Sequence, residues 1–372
     1  MDPFDAGWLS LLPPIIAITL ALITKEVISS LFLGILSGTV IYCLGMGTGD
    51  LIIKPVEIAF TTMVNKVDFN IIIFCTLLGA LVFTISRAGG TRAYGNWATK
   101  RIKSKRVAML STGGLGAFIF IDDYFNCLTV GTVMRPVTDK YNISRAKLAY
   151  IIDATAAPVC IIAPISSWAA AVGSSLPESS TLDGFSLFLK TIPLNLYALL
   201  TLAFLIWLMA ADFDFGPMKK YELAHKDDDL SLIEETHVVA GSGKVYDLIL
   251  PISVLIVLCI AGMLYTGGIL EGANIIDAFA DCSSSTALVL GSFFTLVFTF
   301  LLYIPRKVLS FGQFCEAFTE GFKAMVPAIL ILTLAWTLSG VCSADYLNIG
   351  GFVSSIVSAD SVISMLMPAI FF

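Results

Sequence analysis

Two runs of sequence decide the fold: GAFIFIDDYFNCLTVGTVMRP at residues 116–136 and IIDATAAPVCIIAPISSWAAAVG at residues 151–173. Both are apolar, yet the first carries Asp122 and Asp123 and the second carries Asp153. A carboxylate at the centre of a bilayer costs about 2.5–3.5 kcal/mol on insertion scales. Three carboxylates in such surroundings therefore indicate a functional use.

The composition of the whole chain is that of a membrane protein. Of 372 residues, 57% are hydrophobic and only 13% are charged, and the mean hydropathy is +0.89. Soluble domains carry about 25% charged residues. Because lipid offers no partner to exposed backbone groups, we expect an all-α polytopic membrane protein whose first partner is the lipid bilayer.

Several other classes of protein find no support in the sequence. No basic surface interleaved with aromatic residues predicts nucleic-acid binding. The eight cysteines are scattered through apolar segments, and the two histidines share one polar stretch, so neither type predicts a disulfide framework or a transition-metal site. The sequence contains no recognisable pair of nucleophile and base. The GGLG run at 113–116 is not a phosphate-binding loop, because it lacks the lysine of such a loop and suits close helix packing. The sequence therefore predicts no enzyme and no cofactor.

Hydropathy predicts a series of membrane helices. The N-terminus is acidic and runs into a segment of spanning length, so we expect no cleavable signal peptide. The predicted apolar segments lie at about 8–24, 27–46, 69–86, 107–134, 148–176, 187–210, 246–266, 285–304 and 324–341, with a last one at the end of the chain.

The distribution of Lys and Arg predicts the path of the chain. The loop at 87–106 carries seven basic residues and the loop at 135–147 carries four, so both are expected on the cytoplasmic side. A single crossing by 107–134 would put them on opposite sides. We therefore predict a re-entrant helical hairpin over 107–134 and an N-terminus outside the cell.

An internal repeat predicts a secondary transporter. SLFLGILSG at 30–38 is echoed by ALVLGSFF at 287–294, at an offset of about 250–257 residues, and the odd number of crossings between the copies inverts the second. The second copy stops within its own hairpin. We expect an N-terminal helix at 1–26, a first repeat at 27–210 with a broken helix at 148–176, a cytoplasmic linker at 211–245, a connecting helix and external loop at 246–284, and an incomplete second repeat at 285–372.

The hairpin and the broken helix are rich in oxygen ligands. Pro158 and Pro164 each remove an amide donor, so we predict an unwound stretch from Ala157 to Ser166. Hard alkali cations prefer oxygen ligands. The predicted ion- and proton-binding residues are Asp122, Asp123, Asn126, Thr129, Asp153, Thr155, Ser166 and Ser167, with the three aspartates as sodium ligands.

Adjacent carboxylates also predict coupling to protons. Burial and a neighbouring negative charge both raise a carboxyl pKa, whereas a bound cation lowers it, so a sodium ion and a proton compete for one site. Other roles stay open for the same residues. The aspartates can cap helices or pair with arginines such as Arg135 and Arg145, and Ser166 and Ser167 can serve helix packing.

The run FIDDYFNCLTVGTVMRPVTDKYNISRAKLAYIIDATAAPVCIIAPISSWAAAVG at 120–173 resembles the NhaC-type sodium/proton antiporter family. That resemblance implies an elevator-type fold with two hairpins, multi-pass location in the cytoplasmic membrane, and exchange of sodium or a related monovalent cation for protons. It also implies that the family's signature positions correspond to Asp122, Asp123, Asn126, Asp153, Pro164, Ser166 and Ser167.

Three readings of the function remain at this point. Besides cation/proton exchange, the same ion site could serve a sodium- or proton-coupled carrier of a small organic carboxylate or amino acid. A non-transporting membrane scaffold, or a fragment inactive by itself, is the third reading. A homodimer follows only from analogy with other elevator transporters.

Overall fold

A computed structural model describes residues 4–120, 123–164, 166, 168, 184–224 and 241–356. Every regular element among these residues is helical, as the composition predicts. The α-helices are α1 (Leu12–Thr24), α2 (Val27–Gly45), α3 (Ile53–Lys66), α4 (Phe69–Arg87), α5 (Gly90–Arg101), α6 (Lys105–Phe118), α7 (Asp123–Lys140), α8 (Arg145–Ile162), α9 (Gly184–Thr191), α10 (Leu196–Ala211), α11 (Gly216–Ala224), α12 (Tyr246–Thr266), α13 (Ile275–Ala280), α14 (Ser284–Tyr303), α15 (Phe311–Cys342) and α16 (Ile349–Ile356).

Seven helical stretches of the described chain are long and apolar enough to cross a membrane, and they confirm the predicted polytopic architecture. Hydropathy places five of them to within a few residues. The span at 196–223 begins and ends about ten residues after its predicted segment at 187–210, and the last span begins well before its apolar segment at 324. The seven stretches are Gly7–Thr24, Val27–Gly45, Phe69–Arg87, Leu196–Leu223, Tyr246–Thr266, Ser284–Tyr303 and Phe311–Cys342.

Two features of the connections differ from the hydropathy prediction. The basic stretch at 87–106 is not a simple loop, because α5 occupies most of it. The predicted segment 187–210 is interrupted by a short 3-10 turn at Ile192–Leu194. Pro193 sits in that turn, and its missing N–H and fixed φ favour ending one helix and starting another.

The described chain divides into two compact units. The first comprises Met1–Phe69 and Val326–Phe372, and the second comprises Asn70–Met325. In the first unit the buried core is formed by side chains of α2, α3, the C-terminal half of α15 and the residues just after it, and it includes Ile35, Tyr42, Ile58, Val341 and Leu347. The second unit holds the predicted hairpin and the helices around it.

The opening helix of each copy of the predicted repeat makes a close contact with the membrane helix before it. A Cβ built on Gly34 of α2 would lie 2.8 Å from Ala17 Cβ of α1. A Cβ built on Gly291 of α14 would lie 2.5 Å from Cys259 Sγ of α12. Gly34 and Gly291 occupy matching places in SLFLGILSG and ALVLGSFF. In both copies, therefore, a glycine allows a membrane helix to approach the one that precedes it.

The helices on either side of the turn agree with the predicted hairpin over 107–134. Helix α6 ends at Phe118 and α7 begins at Asp123, and Asn126 of α7 donates back to carbonyls at the end of α6. Lys105 at the start of α6 and Lys147 at the start of α8 approach the same atom, Asp212 Oδ1, at 3.4 and 3.7 Å from their Nζ atoms. The segment thus returns to the end from which it starts, as the distribution of basic residues requires.

The predicted break in the second run is only partly correct. Helix α8 continues through Pro158 and ends at Ile162, so residues 157–162 are helical and not unwound. A proline inside a helix frees one carbonyl, and helices packed in a membrane protein tolerate this. The helix ends instead before Pro164, because a residue that precedes proline avoids the α conformation. Ala163 is accordingly extended, with φ −80° and ψ 121°.

Candidate functional site

Asn126 of α7 forms hydrogen bonds that connect the start of α7 to the end of α6. Its side chain is fully buried, and its Nδ2 donates to the Gly116 carbonyl at 2.7 Å and to the Ile119 carbonyl at 2.8 Å. Both carbonyls belong to the C-terminal end of α6, where a helix leaves acceptors without partners. These two bonds also fix the orientation of the amide, because a flipped side chain would set its oxygen against two carbonyl oxygens.

Two oxygens on the same side of α7 have no hydrogen-bond partner among the residues that the structure describes. They are Asn126 Oδ1 and Thr129 Oγ1, and both atoms are buried. Residues three apart lie on one face of a helix, so the two oxygens share a side. A buried acceptor without a partner costs about 1–3 kcal/mol, which calls for an explanation such as a ligand.

Gly116 allows Thr155 of α8 and the Asn126 side chain to pack closely against α6. A Cβ built there would lie 2.9 Å from Thr155 Cγ2 and 3.4 Å from Asn126 Oδ1. Thr155 of α8 is buried, and its hydroxyl donates to the Ile151 carbonyl at 2.6 Å, which leaves its lone pairs as acceptors. We refer to Gly116, Asn126, Thr129 and Thr155 as the hairpin cluster.

The structure places the predicted carboxylates differently. Asp123 is the first residue of α7 and partly exposed, where the positive end of the helix dipole favours a negative charge. Asp153 is exposed, and at two residues from Thr155 it lies on the opposite side of α8. The described structure therefore does not bring Asp153 together with the hairpin cluster. Asp122 and Ser167 lie outside the described residues.

Ser166 closes the end of α8. Its buried hydroxyl donates to the Cys160 carbonyl at 2.6 Å and to the Ala163 carbonyl at 3.0 Å. In a continuous helix the Cys160 carbonyl would accept from residue 164, but Pro164 has no N–H. Ser166 thus supplies the donor that Pro164 lacks, so the two residues act together at this helix end.

A second polar group lies at the other end of the hairpin. Lys147 is fully buried, and its Nζ lies 2.8 Å from Asp214 Oδ1 and 2.9 Å from Asp214 Oδ2. Lys105 Nζ lies 3.4 Å from Asp212 Oδ1 and 3.7 Å from Glu222 Oε2. We name these five residues, Lys105, Lys147, Asp212, Asp214 and Glu222, the ion-pair cluster.

Helix caps connect this cluster to the helix ends. Ser144 Oγ caps α8 by accepting from the Lys147 N–H at 3.1 Å, and the Ser144 N–H in turn donates to Glu222 Oε1 at 3.1 Å. Ser104 caps α6 in the same way, through the N–H of Val107. The three carboxylates lie near the N-termini of α6 and α8, where negative charge is favourable.

Sequence reasoning missed the role of Gly116 and the whole ion-pair cluster. It assigned the GGLG run to helix packing, which holds for Gly113, since a Cβ there would lie 2.9 Å from Met209 Cε. The assignment also holds for Gly116, where a Cβ would lie 2.9 Å from Thr155 Cγ2, but it did not predict that the Asn126 amide oxygen lies 3.4 Å from the same point. The pairing of Lys147 with Asp214 spans 67 positions, and spacing along the chain carries no sign of it.

Comparisons with known proteins place the chain in a family. A sequence profile described as "Na+/H+ antiporter family" matches residues 159–372. Of the predicted site residues, only Pro164, Ser166 and Ser167 fall inside that match. A curated relative named "Uncharacterized protein" from Haemophilus influenzae (strain ATCC 51907 / DSM 11121 / KW20 / Rd) is 34% identical over 384 residues, covering 99% of this chain and 73% of the relative. No solved structure matches the chain.

The length of these matches is sufficient to assign the family. The profile covers more than half of the chain, and the relative covers almost all of it, including the hairpin. Together with the helical fold, this points to a multi-pass membrane transporter rather than an enzyme. The chain belongs to the Na+/H+ antiporter family.

Proposed function

We propose that this protein exchanges sodium, or a related monovalent cation, for protons across the cytoplasmic membrane, and that the hairpin cluster is part of its cation site. The observation that carries the proposal is the pair of buried, unpartnered oxygens, Asn126 Oδ1 and Thr129 Oγ1. A cation would supply the positive partner that both oxygens lack.

The chemistry of the cluster suits an alkali cation. Amide and hydroxyl oxygens are hard ligands, which favour hard cations over soft transition metals. The unpartnered oxygens of Asn126 and Thr129 are neutral, so they match a single positive charge better than a divalent ion, which usually binds carboxylates. Because Gly116 has no side chain, Thr155 of α8 packs closely against α6 beside the buried Asn126 oxygen.

Proton exchange requires a group that gains a proton when the cation leaves. In this proposal Asp122 and Asp123 have that role, because they form an adjacent pair a few positions before Asn126 in the sequence. A bound cation favours their ionised form, and its departure favours protonation. The pair would titrate as a unit.

Purified protein reconstituted in vesicles with an acid interior tests this function. We expect added sodium alone to dissipate the pH gradient, reported by a pH-sensitive dye. Thr129→Val keeps the shape of the side chain but removes the unpartnered hydroxyl, and we expect it to raise the sodium concentration for half-maximal exchange about tenfold, the equivalent of about 1.4 kcal/mol. Gly116→Ala, whose methyl would approach Asn126 Oδ1, should act in the same direction.

Thr138→Val is the matched control. Thr138 lies on the same helix and is fully buried, but its hydroxyl already donates to the Arg135 carbonyl at 2.9 Å. If Thr138→Val and Thr129→Val change sodium dependence equally, the hairpin cluster is not the cation site. If sodium dissipates the gradient only after a small carboxylate or amino acid is added, the protein is instead a coupled carrier of that solute.

A further inference from the structure

In the segment between α10 and α11, the acidic side chains lie on one side and the aromatic side chains on the other. Its sequence, Asp-Phe-Asp-Phe at 212–215, alternates acidic and aromatic residues. Asp212 and Asp214 turn towards Lys105 and Lys147 in the ion-pair cluster. The ring of Phe213 instead packs against Trp207 and stacks on Phe215, with ring centroids 5.6 and 6.1 Å apart.

The aromatic side continues the apolar surface of a membrane helix. Trp207 and Phe204 belong to α10, which is part of a candidate membrane span, and Phe204 contacts both Trp207 and Phe215. Trp207 is 54% exposed and Phe215 51% exposed. Aromatic side chains at the end of a membrane helix are typical of the bilayer interface.

Within the described stretch 212–224, the exposed charged side chains next to these rings are positive. Lys219 and Lys220 of α11 are exposed, and the Lys219 N–H donates to the Phe215 carbonyl at 3.3 Å, so this turn of α11 directly follows the Phe215 ring. The acidic side chains of the same stretch are engaged elsewhere. Asp212 and Asp214 pair with lysines, and Glu222 is 8% exposed and accepts from the Ser144 N–H.

We propose that this aromatic and basic surface binds the headgroups of anionic phospholipids at the membrane interface. We name it the interfacial patch, and it comprises Phe204, Trp207, Phe213, Phe215, Lys219 and Lys220. The rings lie at the level of the headgroups, and the two lysines contact their negative charge. The occupant is the bilayer because the patch is continuous with the exposed apolar side of α10, and the exposed charges that the structure describes within the patch are positive.

The size of the effect follows from general membrane electrostatics. Each basic residue near an anionic membrane surface contributes about 1 kcal/mol. At 1.4 kcal/mol for each factor of ten, two lysines amount to about a thirtyfold preference for anionic over zwitterionic lipid. The preference should fall at high ionic strength, because salt screens exposed charges.

Native mass spectrometry of the full chain, with equal amounts of phosphatidylglycerol and phosphatidylcholine added, tests the proposal. We expect phosphatidylglycerol to be retained preferentially. The double variant Lys219→Gln/Lys220→Gln should lose most of that preference. Lys100→Gln/Lys103→Gln is the matched control, since it removes two other exposed lysines and the same total charge. It should leave the preference within a factor of about two.

Three outcomes would overturn the proposal. Equal loss of the preference for phosphatidylglycerol in both double variants would mean that any exposed basic surface binds anionic lipid equally well. Equal retention of the two lipids by the unaltered protein would remove the anionic preference altogether. Loss of a dimeric species in Phe213→Ala/Phe215→Ala, with lipid retention unchanged, would assign the patch to a second copy of the chain. Because lipid retention is measured without transport, the result is independent of the proposed exchange of ions.

Discussion

The two ends of the hairpin differ in whether their buried polar atoms have partners. At the end where α6 and α8 begin, the fully buried Lys147 Nζ has Asp214 at 2.8 Å. At the turn, Asn126 Oδ1 and Thr129 Oγ1 are buried with no hydrogen-bond partner in the described part of the chain. Asp212 Oδ1 and Asp214 Oδ1 also lack a regular hydrogen bond, but each lies within 4 Å of a lysine Nζ, so charge compensates for it.

This difference separates a structural role from the binding role that we propose. The ion-pair cluster contains both the lysines and the carboxylates that neutralise them. Its contacts connect the starts of α6 and α8 to the segment that follows α10. The hairpin cluster supplies acceptors without donors, so a positive ligand can complete it. Unpaired buried groups are destabilising, and they persist where function requires them.

The largest expected effect is at the ion-pair cluster. Lys147→Met removes the buried cation and leaves Asp214 without its counter-charge, so we expect it to lower the free energy of unfolding by about 3–5 kcal/mol. Unfolding by a denaturing detergent, followed by circular dichroism, measures this. Lys105→Met is the control, because Lys105 is 30% exposed and should cost under about 1 kcal/mol. Equal losses in the two variants would show that burial does not decide the effect.

An intermediate effect is expected at the turn. Asn126→Leu removes the donors to the Gly116 and Ile119 carbonyls and leaves both buried, at a cost of about 2–3 kcal/mol. Thr129→Val on the same face removes a hydroxyl without a partner, so it should be neutral or slightly stabilising in sodium-free buffer. The same detergent unfolding measures both variants. A loss of more than about 1 kcal/mol for Thr129→Val would mean that its hydroxyl has a partner.

The smallest effect is expected at an exposed ion pair in the first unit. Lys66 Nζ lies 2.9 Å from Asp345 Oδ2, and the hydrogen bond from Lys66 holds the pKa of the Asp345 carboxyl below its usual value. A lowered pKa stabilises the folded state above the ordinary carboxyl pKa of about 4, and this contribution is lost as the pH falls through the lowered pKa.

Asp345→Asn should therefore cost about 0.2–1 kcal/mol at neutral pH and almost nothing at low pH, because the pair is solvent-exposed. Detergent unfolding at several pH values, each against the unaltered protein, measures the difference. If Asp345→Asn lowered the free energy of unfolding as much as Lys147→Met does, an exposed ion pair would matter as much as a buried one. Burial would then not explain the importance of the ion-pair cluster. A loss that grows at low pH would contradict the direction of the pKa change.

Much of the fold and part of the site could be predicted. Hydropathy located most of the spanning helices because each has at least 18 residues and contains an 18-residue apolar window with at most two charged side chains. The basic residues at 87–106 and 135–147 predicted the hairpin, and Asn126, Thr129 and Thr155 were chosen as oxygen ligands. The unwound stretch at Pro158 was wrong, because a packed helix tolerates one lost hydrogen bond. Asp153 was placed beside Thr155 by proximity along the chain, whereas helical geometry directs the two residues to opposite sides.

The sequence by itself determined that this protein lies in a membrane, where its helices run, and that oxygen-bearing residues collect around one hairpin. These properties depend on local composition and on the period of the helix. Only the tertiary structure decided which polar groups are paired. Residues 212–222 carry three acidic and two basic side chains, a net negative charge, yet their carboxylates turn inward to Lys105 and Lys147 and leave Lys219 and Lys220 exposed. Charge acts over a few ångströms in space, and the fold, not the order of residues, sets those distances.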